Sequence, residues 1–265
     1  MAQKNKMIPK TIHTFWFSND PIPDKLLACM NPWQEVLPEY TIQKWDLNSF
    51  TVRNAYCNKA ILGKKWAFLS DYARLWVLYH HGGIYLDTDV WVVKSFNDLS
   101  ENKSFWGTAD NGMVEPVVIG SEAGNPLVKA CLDSYDALEV NDAAFQYLEI
   151  PRMILPVFEK AGFNSSLHEK QSLADGLILP YSAFCPMPFQ QADTSDFLQF
   201  KTNNTYAIHL WNANWFDPFR FFWNGRKKAG WKAVFNTIFK NPIQSFSFYK
   251  NVFYHLKCML IGYPK

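Results

Sequence analysis

An α/β domain followed by a basic helical tail is the fold class this sequence predicts. Three observations carry that expectation. Strand-like and helix-like segments alternate from the start, an apolar helix runs through a double glycine into an apolar strand-like stretch, and charge divides sharply near residue 218. A chain of 265 residues with 48% hydrophobic and 19% charged residues is long and apolar enough for one sizeable core and is not of the disordered type. Aromatic content is 17%, which by itself fits cores, sugar or base stacking, and membrane interfaces alike.

The first segment, IPKTIHTFWF at 8–17, reads as a strand carrying aromatics, and PIPDK at 21–25 as a turn opening a helix. TIQKW at 41–45 follows the Pro38-Glu39 turn as a second strand. From Lys64 to Tyr79 the chain is apolar on most sides, broken after Lys65 only by Ser70, Asp71 and Arg74, as in a buried helix. His80-His81-Gly82-Gly83 ends it, since glycine takes the left-handed conformation that a helix C-terminus uses. The run IYLDTDVWVV is then expected as a central strand. Beyond residue 100, VEPVVIG (114–120) and YAIHLW (206–211) are strand-like, NPLVKACLDSYDAL (125–138) is helix-like, and PYSAFCPMPF (180–189) is a proline-rich loop.

Five scattered cysteines form no Cys-x-x-Cys or Cys/His metal spacing and fit core thiols in a reducing compartment. No apolar signal region opens the chain, and no run reaches the roughly 18 apolar residues of a spanning helix. The expectation is a cytoplasmic chain, neither exported by a signal peptide nor membrane-spanning. Residues 218–265 hold nine lysines and arginines and no aspartate or glutamate; residues 1–217 hold the other 17 basic residues and all 24 acidic ones. That split sets the expected domain boundary, with a folded domain over 1–217 and a basic, aromatic extension over 218–265.

Asp87 and Asp89, in GGIYLDTDV at 82–90, place two like charges one residue apart in an apolar run. On a flat strand they would share a face about 6.6 Å apart, too far for convergence on a hard cation bound at about 2.0–2.6 Å. The strand is therefore expected to end or bend here, with Asp89 on a metal and Asp87 reaching it through water or binding a ligand's hydroxyls. Oxygen ligands favour Mg2+ or Mn2+. Asp71 and Arg74, three apart on one helical face, read either as an intrahelical ion pair or as a polar notch for a ribose or phosphate. His209, in a strand-like run ending in a Trp/Asn-rich loop, is a candidate third metal contact. The dinucleotide, P-loop, HExxH and nucleophile-elbow motifs are all absent. A phosphohydrolase using the Asp-x-Asp pair is an alternative, weakened by Trp91 where such enzymes carry Thr or Val; a non-catalytic sugar- or membrane-binding module is another.

Taken together, IPKTIHTFWF (8–17), WQEVLPEY (33–40), FLSDYARLWVLYHHGGIYLDTDV (68–90) and YAIHLWNANW (206–215) resemble glycosyltransferase family 32, the sugar-binding-region family with a DXD motif that is related to the clostridial glucosylating toxins. The resemblance implies a GT-A fold, a Rossmann-like central sheet flanked by helices, with a UDP-sugar donor, Mn2+ or Mg2+, and retention of anomeric configuration. Carried over by position, it puts Trp16 on the uracil and Asp71 and Arg74 on ribose and sugar. Asp87 would meet ribose and sugar hydroxyls, Asp89 and His209 the metal, and Trp211 or Trp215 the diphosphate; Asp87, Asp89 and Arg74 are the residues implied in catalysis. The same likeness implies a bacterial enzyme of capsular or surface polysaccharide synthesis, acting on an undecaprenyl-diphosphate-linked oligosaccharide. Ile150-Pro151 and Phe184-Cys185-Pro186 depart from the family's Gly-Pro and Phe-Tyr-Pro elements, both on the acceptor side.

In the tail, Trp231, Phe235, Ile238 and Phe239 recur at helical spacing within KKAGWKAVFNTIFK (227–240). Such a helix either packs on the domain or lies on an anionic membrane. An anionic membrane surface is the expected partner, peripheral at the inner face of the plasma membrane, and nucleic acid is not expected.

Overall fold

The computed structural model describes residues 7–138, 148–192, 194–212, 219–223, 225–240 and 243–261. Its elements in chain order are β1 (Thr11–Phe15), α1 (Asp24–Met30), α2 (Trp33–Val36), β2 (Thr41–Trp45), α3 (Ala55–Leu62), α4 (Trp66–His81), β3 (Gly83–Leu86), β4 (Val90–Val92), β5 (Ser104–Gly107), β6 (Val118–Ser121), α5 (Pro126–Asp136), α6 (Ile150–Lys160), β7 (Gln171–Leu173), β8 (Gly176–Leu179), β9 (Ala207–His209), α7 (Arg220–Trp223), α8 (Lys227–Lys240) and α9 (Phe246–Ile261). The chain divides into two compact units. One comprises the residues up to Pro188 with Asp196–Leu210, the other Phe189–Ser195 with Trp211 onward.

In the first unit a seven-stranded mixed sheet runs in the order β2-β1-β3-β6-β5-β8-β7, and β4 pairs with β9 in a separate two-stranded sheet. This is the α/β architecture expected of a GT-A domain. β1 is parallel to both β2 and β3, while β6 is antiparallel to β3 and to β5. Helix α4 is apolar nearly all round because it is enclosed: Phe68, Leu69, Tyr72, Leu75, Val77 and Leu78 are buried in the main core with Tyr135 and Val128 of α5 and Phe158 of α6. Asn125 caps α5 by accepting from the backbone N–H groups of Leu127 and Val128, and Pro126 supplies a preset φ at the first position.

Two glycines fix how α4 returns to the sheet. Gly82 (φ +65°) caps the helix and Gly83 (φ +108°) opens β3; a Cβ on Gly83 would lie 2.7 Å from the Thr11 carbonyl oxygen. The close approach lets β3 pair with β1 from Ile84 onward, and His13 Nε2 donates to the Gly82 carbonyl at 2.9 Å.

The strand expected over IYLDTDVWVV ends at the acidic pair, as its two like charges predict, and the run forms two strands in two sheets. β3 ends at Leu86, residues 87–90 form a turn closed by Val90 N–H to the Asp87 carbonyl (3.2 Å), and β4 leaves for the second sheet. Side chains of Asp87 and Asp89 therefore do not share a flat strand face with Tyr85 and Trp91. The first strand is also shorter than 8–17, so Trp16 follows β1, although its N–H still bonds the Trp45 carbonyl. Among the described residues no helix is long and apolar enough to cross a membrane, and all five cysteines are free and buried.

Candidate functional site

The acidic turn lies at the carboxyl end of β3, with parallel β1 on one side and β6 on the other. Register sets its neighbours. His13 of β1 pairs with Tyr85, so Trp16, just past β1, reaches the same edge as Asp87. Asp87 N–H donates to the Val117 carbonyl at 3.0 Å, which extends the β3–β6 ladder one residue into the turn. On the other side Leu210 N–H donates to the Asp89 carbonyl at 3.0 Å, and Val90 pairs with His209. Each aspartate is thus held by a different sheet, and the turn aims both carboxylates at one place.

There His209 Nε2 stands 3.4 Å from Asp89 Oδ2. Asp87, Asp89 and His209 each offer a ligand atom, and the three atoms lie within 4.8 Å of one another, a group that can hold a metal ion. Asp89 and His209 are buried and Asp87 is half-buried.

Arg74 joins helix α4 to this turn. One guanidinium arm pairs with Asp71 at 2.8 Å and reaches Asp87 at 3.4 Å; the other donates to the Pro116 carbonyl at 2.9 Å, and Nε donates to the Ser70 carbonyl at 3.2 Å. The intrahelical pair read from the sequence is formed, and it is at the same time part of the acidic cluster. Tyr85 completes the support: its hydroxyl donates to Asp87, and the Arg74 guanidinium lies over its ring, 4.4 Å from the centroid.

The electrostatics are dominated by burial. It pushes the Asp71 carboxyl up to about 8 against the pull of Arg74, and it raises Asp87 with Asp89 adding to the effect. For His209 burial acts downward, but Asp89, Asp87 and Glu115 outweigh it and the imidazole is raised. Glu115, which sequence reading passed over, belongs to the same field: burial takes its carboxyl up to about 7, and His209, Asp87 and Arg74 are its charged neighbours. Four carboxylates, Asp71, Asp87, Asp89 and Glu115, thus face one guanidinium and one imidazole. A divalent cation at the Asp87–Asp89–His209 group would offset the cost of ionising these buried groups together, which is the physical reason the residues fit one.

Trp16 is half-buried, with its indole N–H on the Asp20 carbonyl at 2.7 Å. Trp211 belongs to the second unit, where its backbone is left-handed (φ +49°), its ring meets Phe189 edge-on at 5.6 Å and its carbonyl accepts from Arg226 at 3.0 Å. Trp215 lies outside the described residues. Neither Tyr85 nor Glu115 was singled out by the sequence. Tyr85 carried a signal, its place two residues before Asp87, whereas Glu115 has none, because only the β3–β6 pairing brings it there.

Residues 15–106 match the family described as "Glycosyltransferase sugar-binding region containing DXD motif". Over 150 residues the chain is 30% identical to lactosylceramide 4-alpha-galactosyltransferase of Rattus norvegicus, a match covering 54% of this chain and 40% of the relative. It is 24% identical over 162 residues to inositol phosphoceramide mannosyltransferase 3 of Schizosaccharomyces pombe, covering 59% and 45%. The chain therefore spans less than half the length of either relative. Among solved structures, PaToxG Glycosyltransferase aligns with a TM-score of 0.46 at 18% identity, over 58% of this chain and 70% of that one.

Proposed function

Because residues 15–106 carry the DXD sugar-binding region of glycosyltransferases, we propose that this chain is a metal-dependent, retaining glycosyltransferase that moves a hexose from a UDP-sugar to a lipid-linked oligosaccharide. One observation carries the reading: Asp87 and Asp89, in the segment that matches the family, converge beside Arg74 with His209, which β9 brings in from outside that segment. Asp89 and His209 hold the Mn2+ or Mg2+ directly, Asp87 holds it through water or binds ribose and sugar hydroxyls, and Trp16 stacks on the uracil. Asp71 and Arg74 orient the donor sugar and ribose, and Trp211 or Trp215 covers the diphosphate.

The chemistry requires the bond between the sugar's anomeric carbon and the phosphate oxygen to break, leaving additional negative charge on UDP. A divalent ion supplies electrostatic stabilisation of that charge. Arg74 keeps Asp71 and Asp87 in fixed orientation, so the hydroxyl acceptors are in place before the donor arrives. Retention follows from the family resemblance, and the rat relative's name describes an α-galactosyl transfer.

A lipid-borne acceptor is supported by the relatives' names, each of which names a ceramide-based lipid. The bacterial capsular setting, the undecaprenyl diphosphate carrier and a place on the inner face of the plasma membrane rest on the family resemblance and the basic tail. Release of UDP from UDP-glucose, UDP-galactose and their N-acetyl forms, with Mn2+ and with EDTA, tests the reading. Metal-dependent UDP release that Asp89→Ala abolishes is expected. Release of UMP and sugar 1-phosphate from the donor, by hydrolysis of its diphosphate, points instead to a phosphohydrolase, and turnover that survives EDTA removes the metal from the reaction.

A further inference from the structure

The second unit has its own small core. Phe219, Phe222 and Val234 are buried in it, with Trp231, Ile238, Phe248 and Val252 packed against them, and the buried His255 ring stacks on Phe222 (4.3 Å) and Phe219 (5.5 Å). The apolar face read from the sequence is thereby divided. Trp231 and Ile238 turn inward, whereas Phe235 and Phe239 are 56% and 87% exposed. Helix α9 does the same: Phe248, Val252, His255 and Cys258 face the core, while Phe246 and Phe253 are 87% and 70% exposed.

The outward faces of the two helices share one pattern. On α8, Lys228, Lys232, Phe235 and Phe239 stand at i, i+4, i+7 and i+11; on α9, Phe246, Lys250, Phe253 and Lys257 stand at the same spacing, and all eight are exposed. At about 100° per residue such positions fall within roughly 60° of arc, a single stripe along each helix. Each stripe holds two aromatic rings and two ammonium groups. No aspartate or glutamate occurs in 218–265 to neutralise them.

We propose that these two stripes are the membrane-docking surface of the protein, with anionic phospholipid as the partner. Exposed phenylalanines call for an apolar phase, and uncompensated lysines call for negative charge beside it. The interface of an anionic bilayer presents both together: rings enter the acyl boundary while lysine stems reach back to the phosphates. A soluble polyanion would satisfy the lysines and leave the phenylalanines in water. A second copy of the chain would cover the rings but would bring two like-charged faces together. The inference deepens the membrane part of the proposed function and is independent of its chemistry.

Full-length protein is mixed with vesicles of phosphatidylcholine alone or of equal parts phosphatidylcholine and phosphatidylglycerol, and binding is read by co-sedimentation. Binding to the anionic vesicles is expected, weakening with salt and at least about tenfold weaker on neutral ones. Lys250→Glu with Lys257→Glu is expected to reduce it by about 25-fold or more, at about fivefold per lysine, and Phe246→Ser with Phe253→Ser by at least about tenfold. Circular dichroism checks that each variant folds, and Phe235→Ser with Phe239→Ser repeats the measurement on the other helix. Unchanged binding of folded variants, or equal binding to both vesicles, overturns the proposal. So does heparin capture that the Phe variants do not weaken, or a dimer in sedimentation equilibrium that they dissolve. UDP release measured on the same variants without vesicles is expected to match wild type, so failure at the membrane and failure of the transferase reading are told apart.

Discussion

His209 Nε2 lies 3.4 Å from Asp89 Oδ2, and the pairing of β4 with β9 creates that distance between residues far apart in the chain. If the pair holds the metal, neither partner is replaceable by a group that cannot ligate. Asp89→Ala and His209→Ala are each expected to lower Mn2+ affinity by more than about 100-fold, beyond the range of changes one shell further out. Isothermal titration calorimetry with Mn2+ measures this directly, and unchanged affinity in either variant removes that residue from the metal group.

Arg74 is the only cation that the described acidic groups Asp71 and Asp87 both contact, at 2.8 Å and 3.4 Å. Removing it leaves the buried Asp71 without its cation and takes a partner from the half-buried Asp87, so Arg74→Ala is expected to cost about 3 kcal/mol in urea unfolding. Arg74→Lys keeps the charge and loses the planar fork, and is expected to recover only part of the loss. Full stability in the lysine variant would show that charge alone matters here.

Gly83 opens β3 at φ +108°, where a Cβ would stand 2.7 Å from the Thr11 carbonyl. Gly83→Ala therefore combines backbone strain with a contact to rigid backbone and is expected to destabilise by about 1–3 kcal/mol. Gly124 is the comparison, also at positive φ but with nothing within 4 Å of the place a Cβ would take. An alanine there carries the strain without the clash and should cost less.

His13 gives a pH prediction. Burial lowers its pKa to about 4, and its neutral ring accepts from Trp45 Nε1 at 3.1 Å while donating to the Gly82 carbonyl. The unfolded chain binds this proton at about 6.5, so between about pH 4 and 6.5 the unfolded state holds more protons. The contribution is complete above about pH 6.5 and is lost as pH falls toward 4, at most about 3 kcal/mol. Asp71 and Glu115, with raised carboxyls, act in the opposite sense: their contribution is present at low pH and is lost as pH rises through about 7 to 8. The His13 effect is therefore read as a difference, with stability of His13→Gln expected to depend less steeply on acid than that of wild type. Equal slopes from pH 4 to 6.5 would show that His13 does not titrate with unfolding.

Much of the site's membership was legible in the sequence because it is local. The Asp71/Arg74 spacing fixes one helical face, the double glycine fixes the return to the sheet, and Asp87 and Asp89 sit in one turn. The break in IYLDTDVWVV was legible as well, because a flat strand could not bring its two like charges together, but the destination of the second piece was not: β4 leaves for a separate sheet with β9, a segment far away in the chain. The tail shows the same limit, since Trp231, Phe235, Ile238 and Phe239 all recur at helical spacing, yet the core formed with Phe219 and Phe222 takes only the first and third inward.

The sequence by itself determined the α/β class, the family resemblance, the acidic turn and the charge division near residue 218, because composition, periodicity and glycine placement act over a few residues. The tertiary structure decided what requires distant segments to meet. β9 delivers His209 to Asp89, the residues before β6 deliver Glu115 and the Pro116 carbonyl to Arg74, and the packing of α8 and α9 selects which aromatics face out. The physical reason is that a carboxylate's role depends on the dielectric and the partners around it, and both are set by chain segments that no local pattern connects.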